Sequence, residues 1–180
     1  MSVHSESYEK HMNLKIAANE LGIPWQSLYA KLRVDGVRVI GDKLRYGSDR
    51  DKLSAMAESK FSSLVKNATP MNEIRFQSKY DFDVMGYKVD VKASLPHKLS
   101  KKYDAKSWAF SFKKQTLICD FVVCFCFDES KDIKHVLLVP SEFFRGLSTI
   151  SVSCNGSSKW LDYSVPANDL EQFFKTMALI

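Results

Sequence analysis

The thirteen residues YDFDVMGYKVDVK, Tyr80 to Lys92, restrict the fold more than any other stretch of the chain. Apolar and charged side chains alternate on both sides of Met85-Gly86, and glycine there tolerates the positive φ of a two-residue turn. Since strand side chains point alternately to opposite faces, the stretch predicts a β-hairpin. Its apolar face would carry Phe82, Val84, Tyr87, Val89 and Val91. Its outer, charged face would carry Asp81, Asp83, Lys88, Asp90 and Lys92.

The charged face of this hairpin brings two carboxylates together. With the turn at Met85-Gly86, Asp81 stands directly opposite Asp90, and like charges in that position destabilise a sheet. A cation or a lysine relieves the repulsion, and Mg²⁺ commonly takes one or two carboxylates with water and phosphate oxygens. The hairpin therefore predicts an Mg²⁺ site beside Lys92. A turn at Gly86-Tyr87 would oppose Asp83 to Asp90, so Asp83 is the alternative to Asp81.

Composition and charge narrow the class of protein. The longest apolar run, Phe121 to Phe127, is too short for a membrane span, and the polar start MSVHSESYEK lacks the pattern of a signal peptide. We therefore expect a soluble cytoplasmic protein without a membrane partner, and its four cysteines suit buried thiols in a reducing compartment. From Lys92 to Lys114 seven lysines face one aspartate, which indicates either a polyanion partner or a solvated lysine-rich loop.

The N-terminal part predicts two short helices. The first helix shows helical spacing of the apolar residues Leu14, Ile16, Ala17 and Leu21, and it ends at Gly22. The second helix runs from about Pro24 to Val34 and has an apolar face. That face would hold Trp25, Leu28 and Leu32. The pattern resembles a helix-turn-helix, which implies DNA binding, whereas an ordinary helical hairpin is the alternative. The candidate DNA-contacting residues on the second helix are Gln26, Ser27, Tyr29, Lys31 and Arg33.

The rest of the chain predicts a mixed arrangement with one sheet. The stretch VRVIGDKLRY would form a small hairpin like the wing of a winged helix, turning at Gly41-Asp42. The domains would span residues 1–48 and 49–180, and the second would be of the α+β or α/β class. Its expected elements are a helix from Asp51, strands at Glu73–Gln77, Ser107–Phe112, Cys119–Phe127 and His135–Val139, the hairpin, and a helix near Asn168–Ala178.

Asp81, followed on the next strand by Asp90-Val91-Lys92, resembles the PD-(D/E)XK nuclease superfamily of restriction enzymes, resolvases and repair nucleases. The resemblance covers roughly Asp51 to Phe144 and implies a restriction-endonuclease-like sheet flanked by helices. It also implies an acidic residue on the preceding helix, where Glu58 stands, and assigns the basic strand SWAFSFKK and two apolar strands to the core. The chain departs from the family in having Tyr80 before Asp81 and Asp90 where glutamate is commoner.

The resemblance implies a role for each residue. Asp81 and Asp90 would hold Mg²⁺, for which Mn²⁺ would substitute, with Glu58 as a further ligand or acting through water. Lys92 would orient the attacking water or stabilise negative charge at the phosphate. Gln115 is a weaker candidate for the same site, and His97 fits a phosphate contact or a solvated residue better than a base. The lysines expected to neutralise DNA phosphates are Lys98, Lys101, Lys102, Lys106, Lys113 and Lys114.

The sequence thus predicts an Mg²⁺-dependent DNA endonuclease whose helix-turn-helix module selects the site. A pairing of this kind in so small a chain suits a phage or mobile-element enzyme in a bacterial or phage-infected cell. Two alternatives remain open. One is a DNA-binding regulator that uses a nuclease-like scaffold without catalysis. The other is a structure-specific resolvase of the Holliday-junction type, which would work as a homodimer because it cuts two strands symmetrically.

Overall fold

The structure is a computed structural model that describes residues 2–11, 13–37, 39, 47–74, 78–98, 104–112 and 118–180. The chain divides into two compact units, Met1–Lys52 and Leu53–Ile180. Together they contain helices and multi-stranded sheet, so the protein is of mixed α and β class. No helix in the described ranges is both long enough and apolar enough to cross a membrane.

The first unit contains three helices within its described residues: α1 (Val3–His11), α2 (Leu14–Glu20) and α3 (Trp25–Val34). The predicted pair α2 and α3 is confirmed. Asn13 caps α2, because its side chain accepts a hydrogen bond from the backbone N–H of Ile16 at 3.0 Å. Gly22 lies between the helices with a φ of 64°, a conformation that glycine adopts without strain.

The core of the first unit is small. Among the residues that the structure describes, its buried apolar side chains are Tyr8, Ala17, Ala18, Leu28 and Leu32. The prediction that Trp25 joins this face is wrong, since Trp25 is 44% exposed. Ile16 is likewise exposed, at 39%. The buried residues of α3 are Leu28 and Leu32, one helical turn apart, while Trp25, the first residue of the helix, lies outside this cluster.

Helix α1 was not predicted from the sequence, because it lacks an apolar stripe. Its single apolar core residue among those described is Tyr8, and polar contacts hold the rest of the helix. Ser7 Oγ donates to Glu20 Oε2 at 2.5 Å, and Lys10 also pairs with this carboxylate. The bonds from Lys10 and Ser7, together with a weaker one from His11, lower the pKa of Glu20 to about 2. Ser5 adds a bond to Asp35, just beyond α3.

The second unit combines helices with nine short strands among its described residues. Its α-helices are α4 (Asp49–Leu64, which begins just before the unit boundary), α5 (Met71–Ile74) and α6 (Leu170–Met177). Its strands are β1 (Ala68–Pro70), β2 (Phe82–Val84), β3 (Tyr87–Ser94), β4 (His97–Lys98), β5 (Lys106–Ser111), β6 (Phe121–Phe127), β7 (Ile133–Pro140), β8 (Thr149–Ser153) and β9 (Ser164–Val165). Short 3₁₀ helices lie at Ser141–Phe144, Lys159–Tyr163 and Ala167–Asp169.

The strands form two sheets, which corrects the prediction of one. The main sheet has the order β1-β2-β3-β6-β7-β9, and the second sheet has the order β4-β5-β8. Of the strand pairs in the described part of the chain, only β3 and β6 run parallel. The strand of SWAFSFKK, β5, belongs to the second sheet and not to the core of the main one. The strand predicted at Glu73–Gln77 is also wrong where it is described, because Met71–Ile74 is helical.

Strand β6 is buried on both faces, which explains its unbroken apolar sequence. Side chains of one face pack with α4 and α6 in a first core cluster, which contains Phe121, Val123, Phe125 and Phe127. Those of the other face pack with the second sheet in a second core cluster, which contains Val122, Cys124 and Cys126. Trp108 of β5 ties the sheets together, because its Nε1 donates to the carbonyl of Phe127 at 2.7 Å.

The four cysteines are free thiols. Cys119, Cys124 and Cys126 are buried, as expected for the stretch CDFVVCFCF, whereas Cys154 is exposed. The proposed wing with its turn at Gly41-Asp42 lies outside the described residues, as does the stretch 75–77 of the predicted strand.

Candidate functional site

The hairpin of β2 and β3 has the predicted register. Phe82 pairs with Val89, Asp83 with Lys88 and Val84 with Tyr87. The turn residues Met85 and Gly86 have φ angles of 53° and 91°, so both are left-handed as a type I′ turn requires. The turn is therefore Met85-Gly86, and the alternative at Gly86-Tyr87 is excluded.

Asp81 lies where the regular pairing of the hairpin stops. Its backbone N–H donates to the Val89 carbonyl at 3.0 Å, and its carbonyl accepts from the N–H of Met71 at 2.8 Å. Its carboxylate Oδ2 accepts a hydrogen bond from the N–H of Val91 at 2.7 Å. The side chain of Asp81 thus takes the place of a backbone partner, and its carboxylate is held beside Asp90.

Burial and charge repulsion make Asp81 hard to ionise. Desolvation, and next the negative charge of Asp90, raise the pKa of Asp81 to about 7, although the bond from Val91 and the charge of Lys92 oppose this rise. Glu58 adds a further repulsion. A carboxyl group in this environment binds a proton or a cation near neutral pH.

Asp90 and Lys92 form an ion pair on the same face of β3. Lys92 Nζ lies 2.6 Å from Asp90 Oδ2, and the two side chains are 32% and 13% exposed. Burial by itself lowers the pKa of Lys92, but the charge of Asp90 and its hydrogen bond outweigh burial and raise it. Lys92 therefore stays protonated and carries the positive charge that balances this part of the site.

The charged face of the hairpin is not the outer surface that its alternation suggests. In the parallel pairing of β3 with β6, Asp90 stands beside Val122 and Lys92 beside Cys124, both buried in the second core cluster. The second sheet covers this cluster, so Asp90 and Lys92 lie at a largely buried position. Burial, followed by the charge of Asp90, also raises the pKa of the nearby Cys119 thiol to about 12.

Glu58 approaches the site from α4. The preceding residue, Ala57, is buried in the first core cluster, and Ser54 Oγ donates to Glu58 Oε1 at 3.4 Å. Glu58 is near enough to raise the pKa of Asp81, as noted above. Yet among the described residues no three His, Cys, Asp or Glu side chains are grouped so that they could hold a metal ion. The charge of Asp90 thus raises the pKa of Asp81 more strongly than the charge of Glu58 does.

The fallback candidate Asp83 serves the turn. Its Oδ1 accepts a hydrogen bond from the N–H of Gly86 at 3.0 Å, which directs the carboxylate toward the end of the hairpin. Turn chemistry thus accounts for Asp83, and the geometry favours Asp81 as the partner of Asp90.

The predicted lysine patch is described only in part. Five of the predicted residues lie outside the described part of the chain: Lys101, Lys102, Lys113, Lys114 and Gln115. Lys98 pairs with Asp104 at 2.6 Å, and Lys106 pairs with Glu129. These two lysines are therefore already neutralised by carboxylates on neighbouring segments, which weakens the argument that they contact phosphates.

The outward face of α3 presents the predicted polar residues to solvent. The exposed residues of this face are Gln26, Ser27, Lys31 and Arg33, and Tyr29 is partly exposed. On the opposite face, Leu28 and Leu32 are fully buried. Lys31 Nζ lies 3.1 Å from Nε2 of His4, so α1 reaches one end of this face.

A separate cleft of about 440 Å³ opens between the second sheet and the loop after β6. Its lining residues are Pro96, Lys106, Trp108, Asp128, Glu129, Ser130, Lys134, His135 and Cys154. Lys106 pairs with Glu129, and Lys134 lies 3.6 Å from Asp128. The cleft contains none of the four predicted catalytic residues, and its charges are balanced within its own walls.

Three residues beside the site had no role there assigned to them from the sequence: Tyr80, Lys88 and Asp120. Asp120 joins β6 to β3, because its Oδ2 accepts from the N–H of Lys88 at 2.8 Å. Lys88 Nζ in turn lies 5.8 Å from the centre of the Tyr80 ring. Asp120 directly precedes the apolar run of β6, and this position was the one sequence signal for it.

Comparison of the sequence with protein-family models and with curated proteins finds no match.

Proposed function

We propose that the protein is a metal-dependent endonuclease that hydrolyses DNA phosphodiester bonds at the β2–β3 hairpin, on a fold of the restriction-endonuclease-like type. One observation carries the proposal: Asp81 and Asp90 are held together in a largely buried place with a single lysine, Lys92, beside them. A purely structural ion pair needs one carboxylate. The second carboxylate, which burial and repulsion make costly to ionise, gains stability from a divalent cation.

The donor set fits Mg²⁺ or Mn²⁺. Mg²⁺ is usually bound through one or two carboxylates, with waters and substrate phosphate oxygens completing its shell, and Asp81 and Asp90 would supply those carboxylates. When bound, the ion would lower the pKa of a water molecule and offset charge on the phosphate. Glu58 contributes negative charge from α4, which favours a cation at this place.

Lys92 has the properties of a group that acts on a phosphate. Its raised pKa keeps the ammonium protonated, and its bond to Asp90 fixes the ammonium next to the carboxylates. In that position it orients a water molecule or stabilises the negative charge that develops on the phosphate oxygens. Asp90 therefore has two tasks, to hold the cation and to position Lys92.

The first unit would select or hold the DNA site. Its α3 presents exposed amide, hydroxyl and basic side chains, which are the types that read base edges and bind phosphates. Gln26 and Lys31 are the leading residues for this role, since both are exposed on the face opposite the buried Leu28 and Leu32.

The test is a nicking and linearisation assay on supercoiled plasmids and a panel of genomic DNA, with Mg²⁺, Mn²⁺ or EDTA. We expect metal-dependent cleavage by the wild-type protein and at least a hundredfold loss in Asp90→Asn and Lys92→Met, in line with the removal of an electrostatic group from a hydrolytic site. Asp83→Asn is the matched control. It changes a carboxylate of the same hairpin to an amide whose oxygen can still accept from Gly86.

The outcomes separate the functional classes. Cleavage that needs the metal and disappears only in the site variants supports the endonuclease. Duplex binding without cleavage under any metal would favour the DNA-binding regulator. Cleavage confined to branched DNA would favour a resolvase, and a homodimer in solution would then be expected.

A further inference from the structure

Lys88 lies next to the proposed catalytic residues and has no assigned role. It occupies β3 two residues before Asp90 and four before Lys92, so all three side chains emerge on one face of the strand. Two residues along a strand span about 6.7 Å. This step is comparable to the spacing of neighbouring phosphates along a nucleic-acid strand.

The backbone of Lys88 is fixed from two sides. It pairs with Asp83 in the hairpin. On the other side its N–H donates to Asp120 Oδ2 at 2.8 Å, while its carbonyl accepts from the N–H of Asp120 at 2.7 Å. The base of the side chain is therefore held in a defined place relative to Asp90.

The ammonium of Lys88 is left without a carboxylate partner among the described residues, although two acidic residues are close by. Asp83 bonds to the N–H of Gly86, and Asp120 bonds to the N–H of Lys88 itself. The contact that the ammonium does make is with the ring of Tyr80, 5.8 Å from its centre. A ring contact of this kind orients a cation but leaves its charge available to an anion.

Tyr80 is suited to position this cation. It is partly buried against the second core cluster and directly precedes Asp81 in the chain. The same backbone segment thus presents the Asp81 carboxylate and the ring that supports Lys88.

We propose that Lys88, supported by Tyr80, binds the DNA phosphate next to the one that is cleaved. This inference rests on the proposed nuclease function, because it takes Asp90 and Lys92 as the place of the scissile phosphate. Lys88 is then a substrate-positioning residue that sets which phosphate enters the site.

The test measures DNA binding separately from cleavage. Anisotropy of a fluorescein-labelled duplex is followed over a series of KCl concentrations with Ca²⁺ in place of Mg²⁺, for wild-type protein, Lys88→Gln and Lys88→Arg. Loss of one phosphate contact lowers the slope of log Kd against log salt by about 0.9. We expect this loss in Lys88→Gln and a return toward the wild-type slope in Lys88→Arg, which keeps the charge.

Lys159→Gln is the matched control, since Lys159 Nζ also lies over an aromatic ring, 5.1 Å from the centre of Trp160, but on a different segment. An unchanged slope in Lys88→Gln, or an equal fall in Lys159→Gln, overturns the inference, even if the wild-type protein cleaves DNA. A lower slope in Lys88→Gln alone, in a protein that never cleaves, keeps the phosphate contact and rejects the nuclease.

Discussion

At the scale of single residues, the ionisation of Asp81 is the most informative property of the protein. Its pKa of about 7 in the folded state lies above the ordinary value of 3.8, with burial as the main cause and Asp90 as the second. The folded protein therefore holds a proton that the unfolded chain has lost between these two pH values. The contribution of this proton to the stability of the folded state is complete below about pH 4 and is lost as the pH rises through about 7.

Asp81→Asn should therefore become relatively more stable as the pH rises. In EDTA we expect the variant and the wild-type protein to melt at similar temperatures at about pH 4. At about pH 8 we expect the free energy of unfolding of the variant to be higher by about 2–4 kcal/mol. Thermal melts at several pH values measure the difference. A difference that stays constant with pH would contradict the burial of this carboxyl.

The pair Asp90 and Lys92 leads to a second prediction at this scale. Lys92→Met leaves two neighbouring carboxylates without their cation, so we expect a loss of about 2–4 kcal/mol in EDTA. Adding Asp90→Asn removes one of these charges and should recover about half of the loss. Urea unfolding of both single variants and the double variant measures the coupling.

The exposed pair Lys98 and Asp104, with side chains 57% and 94% exposed, is the control for this cycle. Solvent screens such a pair, so Lys98→Met with Asp104→Asn should show no measurable coupling. An equally small coupling between Asp90 and Lys92 would mean that their ion pair is solvated and that the site is not preorganised.

At the scale of elements, the hairpin shows which structural features an alternating apolar and charged sequence can predict. The pattern correctly predicted the turn and the three cross-strand pairs, because each depends on residues close in sequence. It could not predict that Asp90 and Lys92, at one end of the charged face, are largely buried. That outcome depends on β5 and β8, which belong to a second sheet formed from distant parts of the chain.

The geometry of the turn predicts that one substitution lowers the stability of the protein and that another raises it. Met85 has a φ of 53° and Gly86 a φ of 91°, and a Cβ on Gly86 would meet no atom within 4 Å. The cost of Gly86→Ala is thus backbone strain alone, about 1 kcal/mol. Met85→Asn should stabilise the protein by about 0.5 kcal/mol, since asparagine tolerates the left-handed conformation. Urea midpoints measure both, and a loss in both variants would argue against a type I′ turn.

At the scale of the whole molecule, the two units differ in the size of their cores. Among the described residues, the first unit has five buried apolar residues in its cluster, while the second has two clusters of fifteen and thirteen. A small core buries less apolar surface and is opened more easily. We therefore expect amides of α2 and α3 to exchange with deuterium faster than those of β6 and β7.

Hydrogen exchange followed by mass spectrometry measures this difference on the intact chain. Added duplex DNA should slow exchange in α3 if that helix binds it, whereas α6 serves as an internal reference in the second unit. Equal protection of both units without DNA would mean that the first unit is stabilised by more than its own core.

By itself, the sequence determined what local chemistry controls: the helices α2 and α3, the hairpin register, the apolar strand β6 and the identity of Asp81, Asp90 and Lys92 as neighbours. It did not reveal the polar α1, since hydrogen bonds to Glu20 replace an apolar stripe there. Nor did it reveal the second sheet. Only the tertiary structure decided that Asp81 resists ionisation and that Lys92 is held against Asp90, because desolvation depends on which distant segments pack over a charge.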